Sequence, residues 1–120
     1  MSEAHRQVER GSSLRKNDDF KRVRRRGQSA AHPYLVLFWL SNENLGLRIG
    51  ISASRALGGA VQRNRAKRII RAGLQPLIKR LQPDLDLVLM ARTGIRDAKS
   101  TQVQTALEAL LGKAGLLKQE

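Results

Sequence analysis

A chain of 120 residues with 41% hydrophobic content is sized for one domain with one modest core, and its net charge of +13 calls for a polyanionic partner. The absence of cysteine excludes disulfides and thiolate chemistry and suits a reducing, cytoplasmic setting. The longest apolar run, Tyr34 to Leu40, is seven residues, against the ~20 that a spanning helix needs, and no apolar signal segment opens the chain, so a membrane role is not expected.

Residues 1–13 are polar and read as a flexible basic tail broken by Gly11-Ser12-Ser13. From Leu14 the pattern becomes amphipathic. Asn17 fits an N-cap, Asp18 and Asp19 suit the positive end of a helix dipole, and Gly27 ends the element. Phe20 and Val23 supply its apolar side, and Lys21, Arg22, Arg24, Arg25 and Arg26 make its far end basic. Gln28 to Ala31 predicts a short edge strand, which Pro33 separates from the strand Tyr34–Leu40. Alternation puts Tyr34, Val36, Phe38 and Leu40 on one face of that strand and Leu35, Leu37 and Trp39 on the other. After a turn at residues 41–44, residues 45–52 predict an antiparallel return. Leu47, Ile49 and Ile51 share one of its faces, and Gly46, Arg48 and Gly50 the other.

A loop over residues 54–59 leads into a helix from about Ala60 to Leu74, where the cations concentrate. At about 100° per residue, Arg63, Lys67 and Arg71 stack along one line, flanked by Arg65 and Arg68, with Asn64 among them. Ala66, Ile69, Ile70, Gly73 and Leu77 gather on the opposite arc. No acidic residue occurs between Glu43 and Asp84, so the helix face has no nearby sequence partner. Solvated helix faces usually mix signs, and a face of one sign fits a polyanion better. Pro76 interrupts the helix, which a further turn to about Leu81 can follow. Leu85 to Ala91 predicts a last strand, parallel to its predecessor because a helix intervenes. Thr101 to Gln104 resembles a capping box for a final helix buried through Val103, Leu107, Leu110 and Leu111. Residues 113–120 are expected to form a flexible tail. The order α-β-β-β-α-β-α predicts an α/β (α+β) two-layer sandwich, with residues 14–112 as its single domain.

Enzymatic constellations are sparse. His5 and His32 have no metal-ligand or triad spacing. Asp84 and Asp86 share one side of a strand, but flanking the strand start suits them better than holding Mg²⁺. Gly58-Gly59 lacks the Gly-Lys-Ser/Thr sequel of a phosphate-binding loop. Guanidinium forks on one helix and aromatics in one strand instead suit an RNA ligand. Core filling explains the same rings equally well.

Together, the segments Leu14–Phe20 with Val23 and Gly27, Gly50–Ser54, Gly58–Arg71 and Val88–Arg92 resemble the protein subunit of bacterial ribonuclease P. The most specific of these is Arg63-Asn64-Arg65 followed by Lys67-Arg68. The resemblance implies a small basic protein that assists a catalytic RNA in cleaving the 5′ leader from precursor tRNA, with no catalytic side chain and no metal ligand of its own. Arg55, Arg63, Asn64, Arg65, Lys67, Arg68 and Arg71 are implied to dock on that RNA. Lys16, Asn17, Phe20, Val36, Phe38 and Leu40 are implied to line a cleft for the single-stranded leader. The resemblance also implies a mixed sheet with a left-handed βαβ crossover, Mg²⁺ bound mainly by RNA, and no DNA or membrane partner. Arg24 stands where members often carry an aromatic, Gly59 where they carry Asn, and Arg55 where they carry Lys. The alternatives are a ribosomal or other structural RNA-binding protein and an autonomous metal-dependent nuclease.

Overall fold

The computed structural model describes residues 12–14 and 17–118. Its strands are β1 (Ser12–Ser13), β2 (Gln28–Ala31), β3 (Leu35–Ser41), β4 (Arg48–Ala53) and β5 (Leu85–Ala91). Its helices are α1 (Asn17–Arg26), α2 (Ala60–Leu74) and α3 (Ser100–Lys113), with 3-10 turns at Arg55–Leu57, Gln75–Arg80 and Thr93–Ile95. The sheet is mixed, in the order β1-β4-β5-β3-β2, so the expected α+β class with a mixed sheet holds.

The expected pairing of residues 34–40 with 45–52 does not form. β5 lies between β3 and β4, antiparallel to the first and parallel to the second. The reason is burial: six of the seven β5 residues are buried, and a strand apolar on both faces belongs in the middle of a sheet. Asn42 to Gly46 therefore bridges across a strand instead of closing a hairpin. Asn42 and Gly46 hydrogen-bond to Asp84 at the start of β5, which itself takes a left-handed backbone conformation.

The sheet separates two apolar layers of unequal depth. On one side Leu35, Leu37, Leu87 and Leu89 meet Ala66, Ile70, Leu74, Val103, Leu107 and Leu111 of α2 and α3. These helices approach closely at Gly73, where a Cβ would stand 2.9 Å from the backbone nitrogen of Gln104. On the other side α1 covers a small cluster of Leu14, Val23 and Val88, joined by half-buried Phe20, Phe38, Leu40 and Met90.

Three boundaries differ from expectation. Ser12 and Ser13, assigned to the tail, pair in parallel with Arg48 and Ile49. The capping interaction of α3 sits two residues earlier, where the backbone N–H of Lys99 donates to Gln102 Oε1 at 2.8 Å. The C-terminal segment packs rather than hanging loose: Leu116 is buried, its carbonyl accepts from the Gln82 amide, and Leu117 bridges to Leu81. An apolar Leu116-Leu117 pair gains more from covering the end of the core than from solvent. Tyr34 is also displaced. It precedes β3 and packs on the α2–α3 layer, because its amide donates to His32 Nδ1 and turns the chain there.

Candidate nucleic-acid interface

Along α2, Ala66, Ile70, Gly73 and Leu74 are buried, and this arc decides which cations reach solvent. Asn64, Arg68 and Arg71 lie on the fully exposed side, whereas Arg63, Arg65 and Lys67 are half-buried on its flanks. Arg63 and Lys67 are therefore at an edge of the cationic face rather than its centre, and of the line Arg63–Lys67–Arg71 only Arg71 reaches the open side. Arg65 is tied down, its guanidinium donating to the carbonyls of Arg96 at 2.7 Å and Ala98 at 3.2 Å. Among the described residues, none of the α2 cations lies within ion-pair distance of a carboxylate. Arg55 is exposed in the turn before the helix, capped by Ser54 Oγ accepting from the Ala56 amide.

A pocket of about 460 Å³ opens at the start of α2, lined by Gly58, Gly59, Gln62, Arg65, Arg96 and Asp97 among others. Gly59 is the N-cap and offers no side-chain acceptor, and the first turn carries no acidic residue. The first amides of α2 thus keep their partial positive charge for an anion. Arg96, which sequence reasoning missed, belongs to this rim and donates to the Ala56 carbonyl. Its position depends on a loop remote in sequence, so no local pattern exposes it.

The second surface is the sheet face beside α1. Register aligns three rows across β3, β5 and β4: Leu40 with Asp86 and Arg48, Phe38 with Val88 and Gly50, Val36 with Met90 and Ser52. Phe20 of α1 lies over Gly50, where a Cβ would meet its ring at 2.6 Å. Gly50 is small because that ring needs the space. Val36, Phe38, Leu40 and Phe20 are all half-buried, as a groove lining requires, and Met90 is an additional floor residue. Lys21, Arg24, Arg25 and Phe38 surround an open pocket of about 360 Å³. The Arg24 guanidinium stands 5.8 Å from the Phe38 ring centroid, a cation–π arrangement that gives the groove a second planar group. Lys16 and the side chain of Asn17, including its expected capping role, lie outside the described residues.

Behind the groove sits Asp86, the one charged side chain buried among the described residues. Its Oδ1 accepts from Asn42 Nδ2 and Arg48 Nε, both at 2.8 Å. Its Oδ2 accepts from Arg22 Nη2 at 2.6 Å and Arg48 Nη2 at 2.7 Å. Hydrogen bonding to this carboxylate raises the pKa of Arg48 further above its usual value. With both oxygens doubly occupied, Asp86 does not fit a metal ion. Among the described residues no group of three or more His, Asp or Glu side chains could hold one. No helix there is long and apolar enough to cross a membrane.

Comparison with known proteins agrees with these features. The profile of the family described as Ribonuclease P matches residues 8–115. The ribonuclease P protein component of Shouchella clausii is 40% identical over 105 residues, which is 87% of this chain and 86% of that protein. That of Chloroflexus aurantiacus is 40% identical over 111 residues, 92% and 82% of the two chains. Among solved structures, the Staphylococcus aureus RNase P protein superposes with a TM-score of 0.79 at 32% identity, covering 90% of this chain and 99% of that one. The Thermotoga maritima RNase P protein gives 0.74 at 25% identity, covering 85% and 96%.

Proposed function

The chain belongs to the ribonuclease P protein family, and from that premise we propose that it holds two RNAs at once within the ribonucleoprotein that matures tRNA 5′ ends. The exposed side of α2, with Asn64, Arg68 and Arg71 at its centre and Arg55, Arg63, Arg65 and Lys67 at its margins, grips the catalytic RNA. The groove beside α1, floored by Val36, Phe38, Leu40 and Met90 and walled by Phe20 and Arg24, takes the single-stranded leader of precursor tRNA. In this reading phosphodiester cleavage belongs to the RNA subunit, with Mg²⁺ held by RNA phosphates; the commitment of the buried Asp86 carboxylate to arginines is in keeping with it.

One observation carries this reading. Two chemically different surfaces, one cationic and one apolar with a basic rim, coexist on one small domain. A cationic helix with no carboxylate in reach among the described residues suits a folded backbone. A half-buried apolar and aromatic floor rimmed by Lys21, Arg24 and Arg25 suits unstacked bases. A protein that only packed folded RNA would need the first surface alone.

Reconstitution tests it. Precursor tRNA cleavage at low Mg²⁺ is measured with the RNA subunit, the protein, or both. Stimulation that requires both, and that falls when the leader is trimmed to a single nucleotide, is the expected result. Cleavage by the protein alone, or stimulation indifferent to leader length, would refute the proposal.

A further inference from the structure

We infer that Asp86 is the positioning residue of the groove: through Arg22 and Arg48 it fixes the height of α1 over the sheet, and with it the gap that a single strand must enter. The inference rests on the leader reading above and concerns residues that neither surface uses. The apolar seat of α1 is slight, with Val23 fully buried and Phe20 half-buried over Val88 and Gly50. So small a patch permits the helix to slide or tilt. Asp86 removes that freedom. It joins α1 through Arg22, the β3–β4 turn through Asn42, and β4 through the bidentate fork of Arg48. Four donors on one solvent-free carboxylate define a direction as well as a distance, which an apolar contact does not.

The register makes the connection to the groove direct. Asp86 lies opposite Leu40, and the Phe38–Val88 and Val36–Met90 pairs follow in the next two rows of the same face. A shift of α1 at Arg22 therefore moves Phe20 and Arg24 against Phe38. The charge inventory divides the same way. Arg22 and Arg48 are spent on Asp86, whereas exposed Lys21, Arg24 and Arg25 are left for phosphates.

The test uses holoenzyme reconstituted from the full chain and the RNA subunit, with KM and kcat measured for precursor tRNA carrying a full leader or a single-nucleotide one. Asp86→Asn keeps the shape but turns one oxygen into a donor, which then faces either Asn42 and Arg48 Nε or Arg22 and Arg48 Nη2. The expected result is a rise of about tenfold in KM for the full-leader substrate, the scale of one charged hydrogen bond lost. The single-nucleotide substrate, kcat and affinity for the RNA subunit stay near wild type. Arg22→Gln cuts the α1 end, together with the 3.4 Å contact of Arg22 to Asp19 within the helix, and leaves the Asp86–Arg48 fork, so it should show the same selectivity at about threefold. It carries the test if the Asp86 variant fails to fold. Phe38→Ala is the reference for the leader reading itself. If Phe38→Ala is leader-selective while Arg22→Gln is not, or raises KM equally for both substrates, the positioning role is overturned and the groove stands. If Phe38→Ala shows no leader selectivity, the groove reading falls and the inference with it.

Discussion

Beneath α2 and α3 the sheet is sealed by a continuous apolar layer, from Leu35 and Leu37 through Leu87 and Leu89 to Ile70, Leu107 and Leu111. On its other face α1 sets Val23 against Leu14 and Val88, and a buried carboxylate with two guanidiniums supplies the rest of the attachment. The contrast separates stability from binding. A deep apolar layer gives burial energy without leaving any surface for a ligand. A shallow one fixed by directional hydrogen bonds leaves Val36, Phe38 and Met90 half-open while still holding the helix in place. The cations of α2 divide similarly, with Arg65 anchored to backbone carbonyls and Arg68 and Arg71 exposed on the outer side of the helix.

The largest test of this division is Leu107→Ala in the deep layer. The side chain is fully buried, so the cavity should cost about 2–5 kcal/mol in the denaturant unfolding transition. Leader selectivity of whatever protein remains folded should be unchanged. A Leu107 variant that lost leader selectivity at full occupancy of the folded state would break the separation. Next is Phe38→Ala on the shallow side. Loss of one stacking platform should weaken full-leader precursor by about 1–3 kcal/mol while leaving the single-nucleotide substrate alone. Stability should fall by less than for Leu107→Ala, because the ring is only partly buried.

Replacing Arg68 and Arg71 by Ala should act on the other RNA. Each exposed cation contributes about 0.7–0.9 to the slope of log affinity against log salt, so binding of the RNA subunit should flatten by that amount per residue. Arg65→Ala should differ by also lowering the melting temperature, since it unties α2 from the loop carrying Arg96 and Ala98. The smallest effect belongs to Arg80 and Glu108, an exposed pair at 2.7 Å. Glu108→Gln should change stability by about 0.2–1 kcal/mol and leave both RNA affinities as they were.

Much of this was legible from local pattern. The 3.6-residue period marked α2, the composition of its apolar, aromatic-rich run marked β3, and residues 28–31 were expected as a short edge strand. The cationic segment was visible because no acidic residue interrupts it. Its orientation was not, because the register of Ala66, Ile70 and Gly73 against α3 turns Arg63 and Lys67 to the flank and Arg68 outward. Asp86 read as a residue flanking a strand start, and only its neighbours from β4 and α1 make it a buried anchor. Arg96 and Met90 reach their surfaces by tertiary placement alone.

The amino-acid sequence by itself determined the elements, the charge, and the kind of partner, because each depends on residues close together in the chain. The tertiary structure decided that β5 separates β3 from β4, that Leu116 closes the core, and that α1 is held by a carboxylate. Those outcomes depend on which distant groups bury one another, and an acid inside a strand is affordable only where two remote arginines arrive to meet it.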